Sequence, residues 1–136
     1  MTITHTAHAR YDLWYHLAWA TKYRKQIFTD EKVQVEVAAL LRDIAAHYDM
    51  RIEEIGVLAD HVHLLLTAPP RIAPSRAAQI LKSVSTRHLF RQYRWLKNHY
   101  WGGEIWVAGY FVRSVGPSLT KEQIVSYIGA QSEDVS

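Results

Sequence analysis

The sequence contains no cysteine among its 136 residues. This absence excludes a disulfide framework and any thiolate metal site, and it is typical of a reducing compartment. The sequence also lacks an apolar run that approaches the ~20 residues of a membrane-spanning helix. Residues 1–10 are too polar for the apolar core of a signal peptide. We therefore expect a cytoplasmic protein with no membrane partner.

Acidic residues are missing from one long stretch of the chain. No aspartate or glutamate occurs between Arg71 and Asn98, although the net charge of the whole chain is only +3. Helical spacing of apolar residues predicts a helix from Pro74 to about Gln92. Its predicted packing face comprises Ala77, Ile80, Leu81, Val84, His88 and Leu89. Its basic exterior comprises Arg76, Lys82, Arg87, Arg91 and, just beyond, Arg94. This asymmetry favours phosphate binding over an ordinary solvated surface.

Aromatic residues, in contrast, are plentiful. Five Trp, eight Tyr and three Phe in a chain that is 49% hydrophobic can form the core of one compact domain over 1–136. The aromatic run 11–20 predicts a first strand. In the turn that follows, Lys22, Arg24 and Lys25 surround Tyr23. Such a mixture suits single-stranded nucleic acid, in which cations meet phosphates and rings stack on unpaired bases. An ordinary solvated turn accounts for it about equally well.

Local signals predict the remaining elements. Asp30 and Glu31 mark the start of a helix, and residues 50–58 have a strand pattern in which Gly56 indicates a bulge or a close approach of another group. Residues 105–107 and 110–115 are predicted to form a hairpin around Ala108 and Gly109.

The segment 59–66 contains two histidines separated by one hydrophobic residue. Because side chains alternate along a strand, His61 and His63 are predicted to project from the same face, roughly 7 Å apart. Val62, Leu64 and Leu66 then pack on the other face. Two half-exposed histidines with no ligand would show the same short pattern, so the rest of the chain must decide.

A last helix is predicted over about 118–133. Thr120 and Gln123 form a capping box, and Tyr127 and Gln131 lie one turn apart on the side that carries the apolar residues. A phenol and a carboxamide could therefore reach the same point. Gly129 costs such a helix about 1 kcal/mol, and we expect this helix to be mobile. Taken alone, Tyr127 would be a half-buried packing tyrosine.

Together these features resemble the single-tyrosine HUH transposases of small bacterial and archaeal insertion sequences, in the branch that moves single-stranded DNA. The likeness is carried by residues 16–25, 60–65, 80–82, 101–103, 109–112 and 127–131. Several ordered motifs at family-like spacing are far more specific than one pair of histidines.

The resemblance implies an α+β fold, with an antiparallel sheet flanked by helices in a ferredoxin-like or RRM-like layout. It implies that His61, His63 and Gln131 hold a divalent ion, Mg²⁺ or Mn²⁺, and that Tyr127 is the nucleophile. The activity would be cleavage and rejoining of single-stranded DNA at hairpin-bearing ends through a 5′-phosphotyrosine, carried out by a homodimer. The proposed DNA-binding residues are Lys22, Arg24, Lys25, Arg76, Lys82, Arg87 and Arg91.

Other functions remain open from the sequence alone. One is a non-catalytic, RRM-like nucleic-acid-binding module, and another is a metal-dependent hydrolase that uses water as its nucleophile. Repeat-associated tyrosine transposases and initiators of rolling-circle replication share the tyrosine chemistry. Unlike the inert module and the hydrolase, an enzyme with this tyrosine chemistry forms a covalent protein–DNA adduct.

Overall fold

A four-stranded antiparallel sheet forms the centre of the computed structural model, which describes residues 3–5 and 9–116. The strands are β1 (Thr4–His5), β2 (Arg10–Tyr11), β3 (Trp14–Ala20), β4 (Arg51–Val57), β5 (His61–Thr67) and β6 (Phe111–Val115). The helices are α1 (Glu31–His47) and α2 (Pro74–Gln92), with single 3₁₀ segments at Lys22–Arg24 and Arg94–Asn98. The four-stranded sheet has the order β4-β5-β3-β6, and β1 pairs with β2 separately.

The path from β3 through α1, β4, β5 and α2 to β6 is the strand–helix–strand–strand–helix–strand arrangement of a ferredoxin-like fold. The predicted α+β class with an antiparallel sheet is therefore confirmed. The first strand is shorter than predicted, since β3 begins at Trp14 and Tyr11 belongs to β2. The predicted helix over 118–133, with Tyr127 and Gln131, lies outside the described residues.

One face of the sheet carries the main core. Residues that alternate along β3 and β5 share a single buried cluster with the apolar sides of α1 and α2. From the strands, the cluster includes Leu17, Trp19, Val62, Leu64 and Leu66. The opposite face of the sheet carries Trp14 of β3, Leu65 of β5 and Val115 of β6, which form a small second cluster. This face also carries the histidines.

The starts of both helices match the local signals. The Asp30 side chain accepts a hydrogen bond from the Lys32 amide at 2.8 Å, and Glu31 occupies the first turn of α1. Pro74 occupies the first turn of α2, where its missing N–H costs no hydrogen bond. Cap residues act within one turn, so they can be identified without knowledge of the rest of the fold.

The packing face of α2 differs from the prediction at one position. His88 is exposed, while Ser85 is fully buried. The Ser85 hydroxyl donates to the Lys82 carbonyl at 3.1 Å and accepts from the Trp106 indole N–H at 3.0 Å. These two hydrogen bonds compensate the cost of burying the Ser85 hydroxyl. The buried face of α2 therefore includes Ser85 and not His88, so the prediction for His88 was wrong.

The predicted hairpin around Ala108 and Gly109 is also wrong. Trp106 bridges to Thr21, and the Val107 amide donates to the Ala20 carbonyl at 3.0 Å, while β6 pairs with β3. Both segments thus run antiparallel to β3 and its extension, one after the other, instead of pairing with each other.

The break between the two segments is held from α2. The Lys82 ammonium donates to the carbonyls of Ala108 and Gly109, at 3.1 and 3.0 Å. These contacts fasten the point at which the chain passes from one segment to the next.

Among the described residues, neither α1 nor α2 has the length and apolar character that crossing a membrane requires.

Candidate active site

His61 and His63 lie on the same face of β5, as the sequence predicts. Their ring centroids are 6.1 Å apart, with 28° between the ring planes. β5 is an interior strand, paired on both sides, and its opposite face lies in the main core. The two residues are only 5% and 6% exposed. They are therefore buried and close enough for both rings to be ligands of one ion, and the alternative of half-exposed histidines is wrong.

Gly56 makes room for the second ring. In the register between β4 and β5, Gly56 is directly opposite His63. A Cβ atom built on Gly56 would lie 2.7 Å from Nε2 of His63 and 2.9 Å from its Cε1. The close approach predicted for this glycine is therefore confirmed, whereas the irregularity of β4 lies between Ile52 and Glu54. Glycine at this position lets the imidazole lie directly against the neighbouring strand.

Asp60 orients the first ring. Its carboxylate lies 2.8 Å from Nδ1 of His61, and its other oxygen accepts from Arg24 at 3.2 and 3.3 Å. The Asp60 carbonyl accepts from the Thr21 amide at 2.8 Å, which ties this turn to the end of β3. A carboxylate at Nδ1 fixes the proton there and leaves Nε2 with its lone pair available.

The electrostatics keep this carboxylate ionised. Burial alone would raise the pKa of Asp60, but hydrogen bonds from His61 and Arg24, together with the guanidinium charge, lower it overall. The cation for this pairing comes from the turn 22–25, which the sequence predicts as a DNA-binding segment.

A third histidine lies beside the pair, and sequence reasoning gave it no role. His16 of β3 is fully buried, with its ring centroid 6.1 Å from that of His63 in an edge-on arrangement. Burial, and then the charge of Arg113, lowers the pKa of His16 to about 4. Burial, followed by the charges of His16 and His61, lowers the pKa of His63 to about 4. Both rings are therefore neutral at physiological pH, the state in which an imidazole binds metal.

Each of the two motif histidines has a ring nitrogen that is suited to bind a metal ion. Nε2 of His61 and Nδ1 of His63 are buried and have no hydrogen-bond partner among the described residues. Buried polar atoms in this state require an explanation such as an ion. Over residues 3–5 and 9–116, no group of three His, Asp or Glu side chains could hold a metal. The predicted ligand Gln131 and the predicted nucleophile Tyr127 lie outside the described residues.

The predicted DNA-binding cations fall into two groups. The first group has protein partners. Lys22 forms an ion pair with Glu104 at 3.4 Å, and Arg24 forms one with Asp60. Lys25 donates to the His99 carbonyl at 2.6 Å, Arg76 donates to the Gln79 side chain at 3.0 Å, and Lys82 donates to the carbonyls of residues 108 and 109. The second group consists of Arg87 and Arg91, both exposed. Arg91 lines a groove of about 320 Å³ together with Phe90, Arg94 and Lys97. This groove concentrates three cations from the stretch that lacks acidic residues.

Comparison with known proteins places this chain in a family. Residues 9–131 match the sequence profile of the IS200-like transposases. The ISDra2 transposase TnpA of Deinococcus radiodurans is 40% identical over 123 residues, which cover 90% of this chain and 86% of that protein. The transposase of insertion sequence element IS200 from Salmonella typhimurium is 38% identical over 128 residues, covering 94% and 82%.

Solved structures agree with the sequence relatives. A crystal structure assigned as a transposase from Deinococcus radiodurans superposes with a TM-score of 0.74 at 38% identity, covering 94% of this chain and 97% of that one. A REP-associated tyrosine transposase bound to a REP hairpin superposes with a TM-score of 0.59 at 16% identity, over 95% and 74%, and this likeness concerns the fold alone. The chain therefore belongs to the family of IS200-like transposases, enzymes of DNA transposition.

Proposed function

We propose that this protein cleaves and rejoins single-stranded DNA at the hairpin-bearing ends of an insertion sequence. The observation that carries the proposal is the buried pair of motif histidines in a chain of the IS200-like family. Each has a ring nitrogen without a hydrogen-bond partner among residues 3–5 and 9–116. An inert binding module has no need of a pair of buried, unsatisfied imidazoles, since each such atom destabilises the fold. DNA transposition takes place where the DNA is, so we expect the protein to act in the cytoplasm.

His61, His63 and Gln131 would hold a divalent ion, Mg²⁺ or Mn²⁺. When bound, such an ion supplies Lewis-acid stabilisation of the charge that develops on the phosphate oxygens. On the protein side, Asp60 holds the His61 ring with Nε2 available, and the space above Gly56 accommodates the His63 ring. Both imidazoles are thus oriented before DNA binds.

Tyr127 would be the nucleophile. Its phenolic oxygen forms a bond to phosphorus while the bond from phosphorus to the 3′ oxygen breaks, and the phenolic proton ends on the released 3′-OH. The products are a 5′-phosphotyrosine and a free 3′-OH. Attack by the 3′-OH of a second strand reverses the same exchange, so rejoining requires no nucleotide cofactor. This step is transesterification, in contrast to hydrolysis.

The partner would be single-stranded DNA that carries a hairpin. Arg91, Arg94 and Lys97 line one groove, and Arg87 borders another of about 430 Å³ between α2 and residues 103–110. Cations without an acidic neighbour in the sequence suit phosphates. Because the other five predicted cations all have protein partners, Arg87 and Arg91 are the DNA contacts that we favour.

A homodimer is part of the proposal. Within the part of the chain that the structure describes, β6 is an edge strand of the sheet, and its residues Phe111 and Val112 are exposed. An exposed edge with apolar side chains is a surface on which a second chain can pair. Two copies of the protein would bring two histidine sites into one assembly.

Trans or cis use of Tyr127 can be tested by mixing two inactive variants. In trans assembly, a heterodimer of Tyr127→Phe and His61→Ala subunits contains one site without a lesion, and activity returns. In cis assembly each site keeps one lesion, so proven subunit exchange without rescue would support cis.

The test of the function is a search for the covalent adduct. The protein is incubated with labelled single-stranded DNA from the flanks of its gene, with Mg²⁺ or Mn²⁺, and the products are separated on denaturing gels. We expect a labelled protein band that needs both the ion and Tyr127. Tyr127→Phe removes one oxygen and almost no volume, so this variant should bind the strand and form no adduct. His61→Ala and His63→Ala should behave in the same way.

Each other outcome of this experiment contradicts the proposal in a distinct way. Binding without cleavage would indicate an RRM-like module. Cleavage without an adduct would indicate a hydrolase that uses water. An adduct that persists in Tyr127→Phe would remove this residue as the nucleophile, and equal affinity for a paired duplex without a hairpin would remove the proposed substrate.

A further inference from the structure

We propose that Tyr23 and Trp101 form the two walls of a cleft that holds one unpaired base of the DNA strand by stacking. This inference rests on the proposed function, because it names a contact for the same single-stranded substrate. The cleft measures about 160 Å³ and is lined by Lys22, Tyr23, Tyr100, Trp101, Gly102 and Glu104. Space of this size admits one ring system, so it suits a base that is not paired.

The Tyr23 and Trp101 rings are exposed to solvent and do not contribute to the core. Trp101 is 99% exposed and Tyr23 is 71% exposed. Large aromatic side chains usually contribute to a core, as Trp14, Trp19 and Trp106 do here. Their exposure on two segments distant in sequence, around one cleft, is typical of a binding surface.

The backbone beneath Tyr23 is strained. Tyr23 has φ 63° and Arg24 has φ 51°, both in the left-handed region. Glycine adopts this conformation readily and asparagine tolerates it, whereas for a bulky side chain it costs free energy. A tyrosine in such a position destabilises the turn without adding to the core. Strain of this kind persists where a side chain serves a function.

The turn is fastened to the segment that carries Trp101. The Tyr100 hydroxyl donates to the Lys22 carbonyl at 3.0 Å. The Lys25 ammonium donates to the His99 carbonyl at 2.6 Å and lies 5.4 Å from the centre of the Tyr100 ring. The residues next to each exposed ring are therefore held together, so the cleft exists before a ligand binds. A preformed cleft loses less conformational entropy on binding.

Charge at the cleft is nearly balanced. Lys22 forms an ion pair with Glu104 at 3.4 Å and lies 5.5 Å from the centre of the Tyr23 ring. Because Lys22 and Glu104 neutralise each other, the cleft presents aromatic ring faces to a ligand and little net charge. Stacking on aromatic rings is tolerant of sequence because every base has a π face. We therefore expect the cleft to recognise the presence of a base and not its identity.

The test compares strands that differ only in their bases. The wild-type protein is titrated with labelled oligodeoxythymidine and with an abasic strand of the same length, and binding is followed by fluorescence anisotropy. Both strands carry the same phosphates, so a preference for the first measures contact with bases. Trp101→Ala should lower affinity for oligodeoxythymidine roughly fivefold to a hundredfold and leave affinity for the abasic strand and the salt dependence unchanged.

Trp95 provides a matched control. It is also a partly exposed tryptophan, at 38%, but its ring packs between Tyr93 and His99 away from the cleft. Trp95→Ala should therefore keep the preference for strands with bases. A second variant, Tyr23→Gly, relieves the left-handed strain, so its resistance to urea should be unchanged or greater while its preference for bases falls.

The proposal is overturned if Trp101→Ala retains the wild-type preference, or if the wild type does not distinguish the two strands. It is also overturned if Trp101→Ala alters the mass of the assembly in solution without altering strand binding, since the rings would then face a protein. In these cases a covalent adduct on Tyr127 would still support the transposase function. Failure of the wild type to bind any single strand would instead overturn the proposed function.

Discussion

A single methyl group on Gly56 should disturb the candidate metal site through His63 alone. The Cβ of Gly56→Ala would lie 2.7 Å from Nε2 of the ring, closer than real Cβ contacts allow. The ring has little room to yield, because its centroid lies 6.1 Å from those of both His61 and His16. Forcing extra volume into a packed site costs about 1–3 kcal/mol. We expect Gly56→Ala to lower the free energy of unfolding by about that amount.

The same substitution should cost nothing once the ring is removed. In a His63→Ala background the new methyl group has space, and replacing glycine by alanine then stabilises by about 0.4–1 kcal/mol through the unfolded chain. The coupling energy between the two substitutions should therefore exceed about 1 kcal/mol in a double-mutant cycle. Urea unfolding of the four proteins with a chelator present measures it without any contribution from metal.

Gly102→Ala is the control for the general effect of adding a methyl group. Gly102 is exposed, no atom lies within 4 Å of the Cβ position, and its φ is not positive. Gly102→Ala should therefore raise the free energy of unfolding by about 0.4–1 kcal/mol, the contribution of the unfolded chain alone. Binding of Mn²⁺, followed by electron paramagnetic resonance, should weaken in Gly56→Ala and not in this control. An equal cost of Gly56→Ala with and without the His63 ring would refute the reasoning, as would unchanged Mn²⁺ binding.

Three further predictions concern Asp60, the buried histidines and Lys82. Asp60→Ala removes the carboxylate at Nδ1 of His61 and should weaken Mn²⁺ binding roughly 10- to 100-fold in the same resonance assay; unchanged affinity would exclude this orienting role. With a chelator present, the free energy of unfolding should fall as the pH drops from 6.5 to 4. Burial lowers the pKa of His16 and of His63 to about 4 in the folded chain. The unfolded chain takes up both protons near pH 6.5, so lowering the pH favours it. Urea midpoints that stay constant across this range would contradict that reading. Lys82→Met removes the two hydrogen bonds to the carbonyls of residues 108 and 109 and should lower the free energy of unfolding by about 1–3 kcal/mol. A variant as stable as the wild type would show that other contacts hold these two residues in place.

The elements that sequence reasoning predicted well are those whose signals are local. The start of α1 follows from Asp30, and the strand identity of β5 follows from the alternation of its histidines with hydrophobic residues. A cap acts within one turn and a strand alternates with period two. The shared face of His61 and His63 therefore follows from the amino-acid sequence alone.

The errors arose where partners distant in sequence decide the outcome. The segment around Trp106 has the signals of a hairpin strand, but pairing with Thr21 at the end of β3 prevails. Ser85 is buried because the indole of Trp106 reaches it, and no helical period contains that information. His16 meets His63 only through the sheet, as the edge-on ring contact shows. Tertiary contacts of this kind override local preference.

The contact between Arg24 and Asp60 changes how mutants of the basic residues should be interpreted. A scan for DNA contacts would replace each cation in turn and score the loss of activity. At Arg24 such a loss would have another cause, because the guanidinium holds the carboxylate that holds the His61 ring. An Arg24 variant inactive in cleavage would therefore be misassigned as a DNA-binding mutant unless its metal affinity were measured beside its strand affinity.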